Sequence, residues 1–265
     1  MRRRLDAELV RRGLVSSRGR AVEAIAAGRV VVAGAPADTP ARQVATDEPI
    51  VVQGERPRFV SRGGEKLAAA LRGFGVDVSA RRALDAGAST GGFTDCLLHA
   101  GARHVIAVDV GRGQLDWSLR KDPRVTVLER TNVRMLEPGG LGGPVDLCTA
   151  DLSFISLVTV APALERCTTD DADLLLLVKP QFEAGRDHVG KGGIVRDPAV
   201  HKSVLQRVTG GLDAAGLGVI AAMPSPVRGA DGNVEFMIHC RKGVEPIGSD
   251  QLDAVVDAAH EAGAP

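Results

Sequence analysis

What this chain lacks narrows it first. Of its 265 residues none is tyrosine, one is tryptophan and six are phenylalanine, so aromatics make up 3%. A helix lying in a membrane interface needs a strongly amphipathic basic face with aromatic anchors, and no stretch supplies one. No apolar run approaches a membrane span, and the amino terminus, Met1-Arg2-Arg3-Arg4-Leu5-Asp6, places charges where a signal peptide needs an apolar region. The chain therefore reads as cytoplasmic, with no membrane partner. Its four cysteines, Cys96, Cys148, Cys167 and Cys240, form no C-x-x-C pair, and three fall in or beside apolar runs. Neither a disulfide nor a metal site is expected from them. There is no internal repeat and no low-complexity tract.

Net charge is also missing, but only in sum. Residues 1–62 hold 12 arginines against 7 acids, a balance of +5, and the remainder holds 21 basic residues against 26 acidic, a balance of −5. The basic part is the expected contact for a polyanion. With 44% hydrophobic residues, the chain has enough apolar material for one large α/β domain and a small appendage.

The stretch Ala83-Leu84-Asp85-Ala86-Gly87-Ala88-Ser89-Thr90-Gly91-Gly92-Phe93 reads as strand, tight turn and helix start. Backbone can approach a ligand closely where no Cβ intervenes, and a helix start offers unpaired N–H groups. A second apolar run, His104 to Val108, ends in Asp109, about 20 residues after the first glycine, where a carboxylate gripping ribose hydroxyls belongs. The glycine spacing departs from the dinucleotide fingerprint. A nucleoside with a small cationic tail fits better than a pyrophosphate, and S-adenosylmethionine is such a ligand. Candidate cofactor-binding residues are Asp85, Gly87, Ser89, Thr90, Gly91, Gly92, Phe93, Asp109, Asn132 and Asp151.

In chain order, residues 5–12 and 16–27 carry helical patterns joined at Gly13, with Ser16 or Ser17 as cap. A hairpin-like piece over Gly28 to Pro36 and a short strand at Ile50 to Val52 complete a small unit. We place it at residues 1–56, an interdomain linker at 57–62, and the large domain at 63–265. A helix over Glu65 to Phe74 buries Leu67, Ala70 and Leu71 and leaves Lys66 off that stripe, as a solvated residue would be. Strands at 83–85, 105–110, 125–128, 145–150, 174–178, 219–224 and 234–240 alternate with helices. This predicts a mostly parallel sheet with helices on both faces, its last two strands antiparallel, followed by a helix at 250–261.

Ligands of such sheets bind beyond the carboxyl ends of the strands. Asp85, Asp109, Asn132, Asp151 and Lys179 all fall there, and Glu235 starts the last strand. Asp151 and Lys179 should meet over the crevice, either as a structural ion pair or as a carboxylate beside a lysine able to take a proton from a hydroxyl.

Two resemblances follow from these residues. The stretch Leu5-Asp6-Ala7-Glu8-Leu9-Val10-Arg11-Arg12-Gly13-Leu14-Val15, continued through Ile25 to Val32, resembles the small RNA-binding module shared by a ribosomal small-subunit protein and pseudouridine synthases. Arg2, Arg4, Arg11, Arg18 and Arg20 are its candidate RNA contacts. Asp85 to Phe93, Val108 to Leu115, Ala150-Asp-Leu-Ser-Phe-Ile-Ser-Leu157 and Leu177-Val-Lys-Pro-Gln-Phe-Glu183 resemble the TlyA family of ribosomal RNA methyltransferases, which belongs with FtsJ-like 2′-O-methyltransferases.

That resemblance implies a Rossmann-like fold, S-adenosylmethionine as cofactor, and ribosomal RNA or ribosomal subunits as partner, with cytidine ribose as acceptor. It further implies a tetrad of Lys66, Asp151, Lys179 and Glu235, with Lys179 as base and Asp151 orienting it. A monomer without metal is expected. Members of the family have also been labelled haemolysins, so a membrane-active role is one alternative, and a non-catalytic ribosome-assembly factor is another. Base stacking would rest on Phe59, Phe154, Phe182 or Trp117, for each of which core or linker packing is the first expectation.

Overall fold

The structure is a computed structural model that describes residues 2–15, 17–54, 58–229 and 231–261. Ser16 and Pro57, on which a cap and the linker were placed from sequence, lie outside the described residues. The chain divides into two compact units, one ending at Val60 and the other beginning at Ser61.

The first unit starts with a strand absent from the sequence reading, β1 (Arg2–Arg4). Helices α1 (Leu5–Arg11) and α2 (Arg18–Ala26) follow, then β2 (Val30–Val32), β3 (Ala35–Pro36), β4 (Gln43–Ala45) and β5 (Ile50–Val52). β1 pairs antiparallel with β4, and β3, β2 and β5 form a second antiparallel sheet. Ser17 caps α2, accepting from the Arg20 amide. Leu5, Leu9, Ile25, Val30, Val32 and Val44 fill the core.

Two acids of α1, Asp6 and Glu8, are buried with them. Asp6 accepts from Arg4 and Arg18, and Glu8 accepts from Arg11 and Arg12. Arg11 first, then Arg12, pulls the Glu8 carboxyl down to about 2, and the Arg4 hydrogen bond leads in holding Asp6 well below the usual carboxylate range. Arg20 donates to the carbonyls of Val60 and Phe59. The arginines of this unit are thus partly structural.

The second unit opens with α3 (Gly63–Phe74) and then alternates: β6 (Arg82–Ala86), α4 (Gly92–His99), β7 (His104–Val108), α5 (Trp117–Lys121), β8 (Val125–Leu128), β9 (Val145–Ala150), α6 (Leu157–Arg166) and β10 (Thr168–Val178). It closes with α7 (Pro180–Glu183), α8 (Pro198–Asp213), β11 (Leu217–Pro224), β12 (Phe236–Lys242) and α9 (Ser249–Glu261). The strands form one seven-stranded sheet in the order β11-β12-β10-β9-β6-β7-β8. β12 runs antiparallel to both its neighbours, and the five strands from β10 to β8 run parallel.

Side chains alternate across a pleated strand. Leu174, Leu176 and Val178 share one buried cluster with residues of α6, α8 and α9, while α3 and α4 pack against β12, β6 and β7. Helices therefore cover both faces, and the carboxyl edge of the parallel strands is left for the loops.

Candidate active site

The chain winds from β6 to β7 and β8 on one side, then returns to place β9 on the other side of β6. That reversal is where a doubly wound sheet opens a crevice. On the β7 side of it, Asp109, just beyond β7, joins the loops after β6 and β7 with both oxygens: Oδ2 accepts from the Ser89 amide at 2.8 Å and Oδ1 from the Gly111 amide at 2.6 Å. Each oxygen keeps a lone pair, so the carboxylate fixes two loops and can still accept from a ligand diol. A hollow beside it is lined by Ala88, Ser89, Asp109, Gln114, Leu115 and Glu129. Gln114 lay in a quoted motif without a role, and Glu129 had no sequence signal beyond its position after a strand.

The other candidates on this loop divide. Asp85 is fully buried, accepting from Thr94 Oγ1 at 2.6 Å and from Thr149, and burial pushes its carboxyl up to about 7 against the Thr94 bond. It supports the loop from below. Phe93 is buried as well and packs beside Gly63. Ser89 and Thr90 are exposed, Ser89 with a positive φ of 47°. Asn132 is exposed on the loop after β8, where its Oδ1 accepts from the Arg134 amide.

The glycines of this loop are also held close to the protein itself. A Cβ on Gly87, whose φ is +86°, would lie 2.6 Å from the Asp151 carbonyl oxygen, one on Gly91 would strike Leu119, and one on Gly92 would strike Ser61. Their absence of side chain lets the loop pack on its own protein.

Farther along the edge, the ladder that pairs Leu176 with Ala150 and Val178 with Phe236 brings Asp151, Lys179 and Glu235 to adjacent strand ends. Lys179 Nζ lies 2.5 Å from Asp151 Oδ1 and donates to Ser153 Oγ at 3.0 Å. Glu235 meets Lys66 of α3, Nζ to Oε2, at 2.5 Å. Lys66 is buried, which removes the alternative of a merely solvated helix residue: α3 packs against both α4 and β12, so more than one stripe of it is covered. Ser153 was part of a quoted motif without a role, and its bond to Lys179 is the addition.

Two aromatic side chains escape the packing expected of them. Phe154 is 90% exposed, holds a left-handed φ of 64°, and sets its ring 4.9 Å from that of Phe182. Trp117 is 67% exposed under the Lys121 ammonium, 4.6 Å from the ring centre. Phe59 is buried, as packing required.

A doubly wound sheet with an acid at the end of β7 and an acid–lysine pair at the ends of β9 and β10 is the frame of a nucleotide-cofactor group-transfer enzyme. The family described as FtsJ-like methyltransferase matches residues 59–242, and the S4 domain family matches residues 3–50. Over 262 residues the chain is 50% identical to the 16S/23S rRNA (cytidine-2′-O)-methyltransferase TlyA of Mycobacterium tuberculosis, covering 98% of this chain and 97% of that one. It is 39% identical to Hemolysin A of Brachyspira hyodysenteriae, covering 89% of this chain and 98% of the relative. The solved structure "Putative hemolysin from Streptococcus thermophilus" superposes with a TM-score of 0.79 at 40% identity, covering 98% and 96% of the two chains. The chain belongs to the TlyA family of FtsJ-like methyltransferases. The haemolysin and methyltransferase names fall within that one family.

Proposed function

We propose that this enzyme methylates the 2′-oxygen of a cytidine ribose in ribosomal RNA, using S-adenosylmethionine, with Lys179 as general base among Lys66, Asp151, Lys179 and Glu235. The observation that carries this reading is the Lys179–Asp151 contact at the carboxyl edge, 2.5 Å long and beside the loop packed on Asp151. The residues fit the cofactor: the hollow against Asp109 offers a carboxylate to a ribose diol, and the Ala88 and Leu115 side chains offer apolar contact. When bound, the sulfonium supplies an electrophilic methyl group and leaves as a thioether.

Lys179 would take the proton from the ribose hydroxyl as the new C–O bond forms. Asp151 and Ser153 hold its amine in place, and in-line placement plus proton removal are the accelerations open to this site. Glu235, fixed by Lys66, would orient the incoming hydroxyl from the next strand. Exposed Phe154 would stack on the target base.

The S4-type unit would add affinity through Arg2, Arg4, Arg11, Arg18 and Arg20, and the partly exposed guanidinium groups of Arg4, Arg11 and Arg18 remain able to meet phosphate. Residues 1–56, 57–62 and 63–265 would then serve as RNA module, linker and catalytic domain. A ribosomal RNA acceptor implies a cytoplasmic enzyme, which would act as a monomer. No helix among the described residues is long and apolar enough to cross a membrane.

Incubating purified ribosomal subunits with the enzyme and methyl donor, then mapping 2′-O-methyl groups by mass, tests the reading. A new methyl on a cytidine ribose is expected. Methylation confined to a base, or to proteins, would overturn it.

A further inference from the structure

We propose that the loops closing β7 and β8, together with α5, form a second RNA-contacting surface that grips phosphates through Arg112, Lys121, Arg130 and Arg134 and stacks a base on Trp117. This rests on the ribosomal RNA reading above and extends it to a surface outside the S4-type unit.

The net charge of the larger unit hides this surface. Residues 63–265 are acidic in sum, yet residues 110–135 hold six basic side chains against three acids. All three acids are already used. Asp116 accepts from Ser118 N and Oγ, Asp122 accepts from Arg124, and Glu129 accepts from the Gly113 amide and Arg120. Among the described residues Arg112, Lys121, Arg130 and Arg134 have no carboxylate within ion-pair distance. All four are exposed.

They are also held together. Arg130 donates its amide to the Gly111 carbonyl at 3.1 Å, and Thr131 donates to the Asp109 carbonyl at 3.0 Å, so the loops after β7 and β8 are joined. Arg130 keeps a left-handed φ of 53° there. Trp117 and Lys121 stand one turn apart on α5, with the ammonium over the ring.

Solvation alone explains charged loops, but not the apolar side chains among them. Val110, Trp117 and Met135 are 75%, 67% and 76% exposed in this one stretch. Unpaired cations interleaved with an exposed indole are what a single-stranded RNA segment needs, charge for the backbone and a flat face for a base. The surface lies on the same edge of the sheet as Lys179 and Asp109, so a strand presenting its ribose to the reactive cluster has the β7 and β8 loops in reach.

The test uses the full chain and a triple variant, Lys121→Ala/Arg130→Ala/Arg134→Ala, with Trp117→Ala made separately. Filter binding to ribosomal RNA across salt concentrations, KM for ribosomal subunits and calorimetry with S-adenosylmethionine are the readouts. The triple variant is expected to raise KM roughly tenfold or more and to flatten the slope of log affinity against log salt by about 2, with donor affinity unchanged. Trp117→Ala should raise KM without altering the slope. Unchanged KM and slope would overturn the proposal, and so would a KM loss matched by an equal loss of donor affinity, which would assign the loops to the donor. Because filter binding needs no turnover, the surface is read even if the methylation assay finds no acceptor in RNA.

Discussion

Lys66 and Glu235, 169 positions apart, meet with Nζ and Oε2 at 2.5 Å, and both side chains are buried. Removing one partner of such a pair leaves the other charged and unsatisfied, which costs about 3–5 kcal/mol, whereas replacing both with apolar groups costs far less. Lys66→Met and Glu235→Leu should each lower stability by that order, and the double variant should recover most of the loss. Urea unfolding of the four proteins in a double-mutant cycle measures it.

Asp85 sets a pH dependence of the opposite sign to most carboxylates. Burial raises its carboxyl to about 7, whereas the unfolded chain releases that proton near pH 4. Between those values the folded state binds more protons, so stability falls as pH rises, by on the order of 4 kcal/mol in full. Asp85→Asn should flatten that slope between about pH 4 and 7, read from urea midpoints.

Asp173 works the other way, at the far edge of the sheet from the reactive cluster. Burial alone would raise its carboxyl, but hydrogen bonds from His239 at 2.7 Å, Arg241 at 2.8 Å and Arg81 hold it below the usual range. Its contribution is full above about pH 4 and is lost as pH falls further. Asp173→Ala should cost about 3–5 kcal/mol and leave kcat unchanged at temperatures where the variant stays folded.

Gly87→Ala combines a left-handed backbone with a Cβ 2.6 Å from the Asp151 carbonyl. The first effect alone costs about 1 kcal/mol. Moving Asp151 away from Lys179 should reduce kcat more than donor affinity, by roughly tenfold or more. Steady-state kinetics with calorimetry separates the two.

The sheet was legible because each parallel strand is a short apolar run ending in a polar residue, as at Asp109, Asp151 and Lys179. The antiparallel end was legible from Pro224-Ser225-Pro226, which breaks the alternation. β1 was not, since three arginines carry no apolar alternation and the strand exists only by pairing with β4. The burial of Lys66 was hidden because a helix stripe shows one covered face, while α3 is covered on more than one. Asp85 and Phe93 stood in the right loop, but their burial was not legible, since a Gly-rich turn does not show which of its side chains face inward. The exposure of Phe154 was the reverse case: a positive φ turns an apolar side chain outward, and nothing in Asp-Leu-Ser-Phe announces that turn.

The most direct measurement is single-turnover methyl transfer to ribosomal subunits by Lys179→Ala, alongside calorimetric titration with S-adenosylmethionine. Loss of a positioned base should slow transfer by about 10²-fold or more while the donor Kd stays within about twofold of wild type. Transfer at the wild-type rate by Lys179→Ala would remove Lys179 from the chemistry and with it the reading of this edge as the reactive centre.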